Sequence, residues 1–141
     1  MFRSDDLLSL IYGVRDRGLL DLCVGRPAQS AHQQDAFPTL ELKAAALTEA
    51  IINVHPFIDA NKRTGIMAGM SMLLVNGHTP VAESDDLYAV AIEVESGLMT
   101  LEGLADWMRD TNNVLPLSAD EVRTERLFNP DIWEIDELEP S

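Results

Sequence analysis

Cysteine is nearly absent from the sequence: Cys23 is the single example in 141 residues. A lone thiol cannot close an internal disulfide, and it cannot build a cysteine-rich zinc site. Cys23 stands within the apolar run LLDLCV, so we predict a buried and unreactive side chain.

Long apolar runs are missing as well. No segment reaches the roughly 20 apolar residues that a membrane-spanning helix needs. The N-terminal residues MFRSDDLLSL lack the basic start, the apolar middle and the small-residue cleavage site of a secretory signal. The sequence therefore predicts a cytoplasmic protein without a membrane partner.

Basic residues are scarce, since ten Lys and Arg stand against 24 Asp and Glu, for a formal net charge of -14. Affinity for nucleic acid depends on basic side chains that neutralise phosphates. We therefore expect no direct nucleic-acid binding, and a protein partner with basic patches is favoured instead. Residues 111–141 hold eight of the acids and two of the bases.

What the sequence does contain indicates one globular, all-α domain. With 46% hydrophobic residues, a chain of this length can bury its own core. Apolar spacing predicts about five to seven helices, and only residues 32–38 have the composition of a small hairpin or loop. We divide the chain into a helical domain, residues 1–112, and an acidic C-terminal tail, residues 113–141.

Capping residues and glycines predict the helix boundaries. Gly13 and Gly18 are expected in irregular chain. The helix that begins near residue 61 is apolar almost all round, as is typical of a buried bundle centre, so Met67, Met70 and Met72 are predicted as core. The predicted N-caps are Ser4, Thr39, Ser84 and Thr100, and the predicted helix stop is Asn76-Gly77.

One stretch, HPFIDANKRTG, concentrates polar chemistry between two predicted helices. Pro56 disfavours helix at His55, so the chain is expected to turn there before a helix starts near Asn61. The first N–H groups of a helix lack internal partners and attract anions, above all phosphates. Lys62 and Arg63 would add two positive charges at that end.

The other side chains of the stretch suit the same chemistry. Asp59 offers the hard oxygen that Mg²⁺ prefers, His55 can accept a proton from a hydroxyl, and Ala60 lets a ligand approach the backbone. Phe57 and Ile58 are expected to point inward and anchor the loop. Each polar residue alone is usually a cap, a turn or solvated surface, but together they indicate transfer of a phosphorus-containing group to a hydroxyl.

The stretch resembles the signature of the Fic/Doc superfamily, His-Pro-Phe-x-Asp/Glu-Gly-Asn-Gly/Lys-Arg. The resemblance covers about residues 12–110 and is closest to the Doc ("death on curing") branch, which has Lys at the position of Lys62 and often Ala at that of Ala60. It implies a Fic/Doc-type helical bundle with a small flap hairpin or loop. The segment from Asp35 to Pro38 matches the flap, which positions a target segment by backbone pairing in this superfamily.

For the Doc branch, the resemblance implies a toxin that uses ATP and Mg²⁺ to phosphorylate a Ser or Thr hydroxyl of a protein. The implied target is a translation factor, elongation factor Tu in the case of Doc, and the implied partner is an antitoxin of the Phd type. The residues carried over by position are His55, Asp59 and Arg63 for catalysis, Asp59 for Mg²⁺, and Ala60, Asn61, Lys62 and Arg63 for the nucleotide.

Two other functions stay open. The first is an AMP-transferase of the same fold, because Lys62 is the main residue that separates the two branches. The second is a catalytically silent module that acts by binding proteins. The intact residues His55, Asp59, Asn61 and Arg63 weigh against the silent module.

Overall fold

The structure is a computed structural model that describes residues 13–117. The predicted helix after Ser4 and the tail from residue 118 onward lie outside the described residues. The described chain is mainly helical, with five α-helices and two small two-stranded sheets, which confirms the predicted all-α fold. In this part of the chain, no helix is both long and apolar enough to cross a membrane. The helices are α1 (Arg17–Gly25), α2 (Leu40–Val54), α3 (Asn61–Val75), α4 (Ser84–Ser96) and α5 (Leu101–Arg109).

Local capping defines the helix starts, and two of the predicted caps are confirmed. The hydroxyl of Thr39 accepts the Leu42 N–H at 3.1 Å, and Thr100 caps α5 in the same way. The prediction for Ser84 was wrong, because Glu83 occupies the N-cap position of α4 and makes no side-chain cap hydrogen bond. Acids in the first turn of α4 stabilise its start instead, through the helix dipole.

The glycine predictions were confirmed in part. The predicted stop at Asn76-Gly77 is confirmed, since α3 ends one residue earlier and Gly77 has a φ of 88°. Gly18, which was predicted in irregular chain, lies in the first turn of α1. Asp16 caps that turn by accepting the Leu19 N–H at 3.0 Å, and this local hydrogen bond supports a helix despite the glycine.

A short hairpin lies in the predicted flap region. Strand β1 (Ser30–Ala31) pairs antiparallel with β2 (Gln34–Asp35), just after a 3-10 turn at Arg26–Ala28. The two residues between the strands, His32 and Gln33, have φ values of 53° and 65°. Two successive positive φ angles are the geometry of a type I′ turn, one of the common two-residue hairpin connections.

A second sheet was not predicted. Strand β3 (His78–Pro80) pairs antiparallel with β4 (Val114–Pro116), and the pairing places Val114 in the core. His78 is half-buried in β3. Strands of three residues are too short to show an alternating pattern in sequence. The boundary predicted at residue 112 thus falls just before a strand that packs on the domain, and the domain division itself stays a prediction.

Helix α3 runs through the middle of the described domain and packs against α2, α4 and β3. Met70 is buried, and Met72 is half-buried against the main core, as predicted. The prediction for Met67 was wrong, because 54% of this residue is exposed. The largest fully buried side chains of the main core are Ile52, Leu73, Leu104, Met108 and Val114.

The predicted burial of Cys23 is confirmed, with 1% of the residue exposed. Burial raises the pKa of its thiol, and the positive charge of Arg26 opposes this effect only partly. The thiol is therefore protonated and shielded, as expected for a packing residue.

Candidate active site

The loop of residues 55–60 joins α2 to α3, and a left-handed residue stands at each end of it. His55 follows the last turn of α2 with φ 57° and ψ 59°, and Ala60 precedes α3 with φ 61° and ψ 31°. Neither is a glycine, so each conformation costs roughly 1 kcal/mol or more. Such a loop keeps its shape only when contacts around it compensate for that cost.

Asn61 supplies one of these contacts. Its side-chain oxygen accepts the backbone N–H of Phe57 at 3.0 Å, and its side-chain nitrogen donates to the Phe57 carbonyl at 3.0 Å. Asn61 was predicted to bind phosphate. In the structure its amide group fastens the loop to the first turn of α3, and its contact with phosphate stays a prediction.

Arg15 supplies the second contact, and sequence reasoning missed it. Its Nε donates to the carbonyl of His55 at 2.8 Å, and its Nη2 donates to the carbonyl of Val54 at 3.1 Å. A guanidinium at these carbonyls satisfies the C-terminal end of α2 and complements its dipole. No local signal marks Arg15, because 40 residues separate it from His55.

Backbone hydrogen bonds beside Arg15 hold the same loop. The Arg15 N–H donates to the Pro56 carbonyl at 2.7 Å, and the Ile58 N–H donates to the Gly13 carbonyl at 2.8 Å. Val14 forms an antiparallel bridge with Phe57. The segment just before α1 therefore holds the loop along most of its length.

The start of α3 is the part of the site whose backbone N–H groups suit an anion. Its N-cap, Ala60, makes no side-chain cap hydrogen bond. Among the described residues, the N–H groups of Asn61, Lys62 and Arg63 have no hydrogen-bond acceptor. Uncapped N–H groups at the positive end of a 15-residue helix suit the charge and geometry of a phosphate.

The two cations of this first turn differ in their partners. The Nζ of Lys62 lies 3.3 and 3.2 Å from the two carboxylate oxygens of Glu95 on α4. The Arg63 side chain is exposed and has no ion pair or hydrogen bond within residues 13–117. Arg63 is therefore available to an anion at once, whereas Lys62 must first leave Glu95.

The Asp59 carboxylate suits a Mg²⁺ ion that substrate phosphates also hold. One carboxylate oxygen accepts the Ala60 N–H at 2.7 Å, and within the described chain the other oxygen has no hydrogen bond. No group of three or more His, Cys, Asp or Glu that could hold a metal occurs there either. Mg²⁺ is commonly held by one or two carboxylates together with substrate phosphates, so this single carboxylate is compatible with a nucleotide-bound ion.

These residues share one cleft of about 710 Å³, which runs from the loop along the groove between α3 and α4. All six predicted site residues, His55 and the five from Asp59 to Arg63, line it. Ile58, Met67 and Tyr88 give it an exposed apolar wall. The prediction that Ile58 points inward was wrong.

Phe57, in contrast, anchors the loop as predicted. It packs against a small buried cluster of Cys23, Ala50 and Ile51 below the loop. The catalytic and ligand-binding roles of the loop residues stay predictions, but the structure brings all of them to one surface.

The flap hairpin is fastened separately. The Lys43 Nζ lies 3.4 Å from an Asp35 carboxylate oxygen and donates to the Pro27 carbonyl at 3.2 Å. The Arg26 guanidinium lies over the ring of Phe37, 5.5 Å from its centroid. Both contacts tie the segment around the hairpin to α2 or to the turn before it, and no flap residue lines the cleft.

Comparison with known proteins places this site in a family. A family model described as "Fic/DOC family" matches residues 3–73, which is half of the chain and includes the whole loop. The protein named Toxin Doc from Mycolicibacterium smegmatis is 43% identical over 72 residues, or 51% of this chain and 55% of that protein. The matched segment thus spans about half of that relative's length. No solved structure matches the chain.

Proposed function

The chain belongs to the Fic/DOC family, and on that premise we propose that it is the toxin of a toxin–antitoxin pair. As such a toxin, it transfers the γ-phosphate of ATP to a Ser or Thr hydroxyl of a protein target. The observation that carries this proposal is the uncapped start of α3, where Arg63 lines one cleft with His55 and Asp59 and has no side-chain partner within residues 13–117. Similarity to a protein named Toxin Doc supports the toxin role.

The proposed reaction uses the residues of the loop in three ways. The α3 N–H groups and Arg63 bind phosphate oxygens and stabilise the charge that builds up on them. The target hydroxyl attacks the γ-phosphorus, the bond to the bridging oxygen breaks, and ADP leaves. His55 accepts the hydroxyl proton. Asp59 would hold a Mg²⁺ ion, which when bound neutralises part of the phosphate charge.

The partners follow from the same proposal. The target is a translation factor such as elongation factor Tu, whose modification would stop protein synthesis. A cognate antitoxin of the Phd type would hold the toxin inactive.

A second candidate is AMP transfer, and one observation favours keeping it. The resemblance to the Doc branch ties γ-phosphate transfer to Lys62, which would fill space that a glycine leaves for phosphate. In the structure the Lys62 ammonium is paired with the Glu95 carboxylate on α4. The residue that would favour γ-phosphate transfer is thus engaged with a carboxylate, and AMP transfer stays the second candidate.

Two samples of ATP, one labelled at the α-phosphate and one at the γ-phosphate, separate these candidates. Each is incubated with the protein, Mg²⁺ and a bacterial lysate that contains elongation factor Tu. Label on protein from the γ-position alone is the expected result, and label from the α-position establishes AMP transfer instead. No label from either position, with the His55→Ala variant as toxic to cells as the wild type, means a silent binding module.

A further inference from the structure

The charged side chains that line the cleft are unusual for a polyphosphate site. Lys62 and Arg63 contribute two positive charges, whereas Asp59, Asp85 and Glu95 contribute three negative charges. With His55 neutral, the cleft carries a formal excess of one negative charge. Sites for polyanions usually concentrate positive potential, so one of these acids is expected to have a role other than direct binding.

Glu95 is the acid that contacts the first turn of α3. It lies at the C-terminal end of α4, whose last turn contains no basic residue. A carboxylate is disfavoured there because the C-terminal end of a helix dipole is negative. The ion pair with Lys62 compensates for this cost, because both carboxylate oxygens of Glu95 lie 3.2–3.3 Å from the Lys62 Nζ across the cleft. The two side chains are 35% and 40% exposed, so an incoming ligand can reach and separate them.

We propose that Glu95 is a specificity-determining residue that competes with phosphate for Lys62. This inference rests on the proposed function, because it concerns which form of the nucleotide the cleft accepts. A bare polyphosphate can recruit Lys62 only by breaking its ion pair, and it then faces an unpaired Glu95 carboxylate. A polyphosphate that arrives with a divalent cation brings a positive charge that offsets this carboxylate. Glu95 therefore makes the cleft select metal-bound over metal-free nucleotide.

Direct binding measurements test this selection without any readout of catalysis. The dissociation constants of ATP and of inorganic triphosphate are measured by calorimetry, once with a chelator present and once with Mg²⁺, for the wild type and the Glu95→Gln variant. We expect Glu95→Gln to tighten metal-free binding by about fivefold to tenfold and Mg²⁺-bound binding by about twofold or less. Raising the salt concentration should reduce the gain, because the pair is partly exposed.

A neighbouring acid supplies the matched control. Glu93 lies on the same helix, is exposed, and does not line the cleft. The Glu93→Gln variant should therefore leave all four dissociation constants unchanged, since it removes the same charge from the same helix without touching Lys62. Thermal unfolding of both variants near the wild-type midpoint confirms that they are folded.

The Lys62→Gln background tests whether Glu95 acts through Lys62. If the two residues compete as proposed, Glu95→Gln tightens metal-free binding much less when Lys62 is already absent. A full gain in that background overturns the inference, because it means that the effect of Glu95 on binding does not depend on Lys62. Unchanged or weaker metal-free binding by Glu95→Gln, or no triphosphate binding by either protein, overturns it as well. Binding without phosphotransfer counts against the proposed function alone.

Discussion

On one side of α3, Gly65 and Gly69 bring its backbone against α2, and on another side Lys62 and Met67 face an open cleft. A Cβ atom on Gly65 would lie 2.7 Å from the Ile52 Cγ1, so no side chain fits between the helices there. The cleft side keeps about 710 Å³ free. The contrast shows how one helix can fix a site on its packed side and leave room for a ligand on its other side.

The packed side matters for chemistry because α3 starts directly at the loop. The close contact with α2 sets the position of its first turn, where Asn61 holds the loop and Arg63 faces the cleft. Interiors packed this closely resist small shifts, so the donors at the helix start are placed before a ligand arrives.

Two methionines of α3 give the largest expected difference between the two sides. Met70 is 4% exposed, and Met70→Ala should destabilise the protein by about 3 kcal/mol, because it leaves a cavity in the core. Met67→Ala, on the cleft side, should cost less than about 0.5 kcal/mol. Chemical denaturation of the two variants measures both values. Equal losses would contradict the assignment of the two sides.

Gly69 tests the close contact with α2. A Cβ there would overlap the Thr48 hydroxyl and lie 3.2 Å from the Ala44 carbonyl oxygen. We expect Gly69→Ala to cost about 2 kcal/mol, even though alanine is the better helix former. Gly25→Ala is the matched control, since nothing lies within 4 Å of its Cβ, and it should be neutral or slightly stabilising.

Removing the Thr48 side chain should partly restore the stability of the Gly69→Ala variant. The Thr48 hydroxyl is buried without a hydrogen-bond partner in the described residues, so it contributes bulk more than bonding. The double variant Thr48→Ala with Gly69→Ala should be more stable than the sum of the single changes predicts. Strict additivity in denaturation experiments would show that the overlap is not the cause of the loss.

Substitution of Arg15 tests whether the loop of residues 55–60 depends on the hydrogen bonds that this side chain makes to it. Arg15→Met removes the hydrogen bonds to the His55 and Val54 carbonyls and should cost about 1 kcal/mol of stability. The rate of phosphotransfer should also fall, by more than a loss of folded protein explains, because the His55 backbone is no longer held in place. Arg17→Met, which removes an exposed charge nearby, is the control for charge. Identical behaviour of the two variants would remove the positioning role from Arg15.

Ala60 gives the smallest expected effect. Its positive φ of 61° is strained for alanine, and a glycine there would relieve that strain while adding freedom to the unfolded chain. We expect Ala60→Gly to stabilise the protein by about 0.5 kcal/mol in thermal or chemical unfolding. A loss of more than about 1 kcal/mol would indicate that the methyl group has a packing role.

Local features were predictable from the sequence, whereas contacts between distant positions were not. Thr39 and Thr100 were recognised as caps because a cap hydrogen bond spans only three residues. The contacts Arg15–His55 and Lys62–Glu95 join residues 40 and 33 positions apart, and no spacing rule encodes them. Ile58 was misjudged for a related reason: the inward or outward direction of a loop side chain depends on which helix lies opposite it.

The most direct test of the account is the rate of γ-phosphate transfer to purified elongation factor Tu. Wild type and His55→Ala are compared at equal concentration with ATP and Mg²⁺, after unfolding curves have confirmed that both are folded. The account predicts measurable transfer by the wild type and a loss of about 100-fold or more in His55→Ala, the usual range for removal of a general base. Transfer by His55→Ala at the wild-type rate, or no γ-phosphate transfer by the wild type, would contradict it.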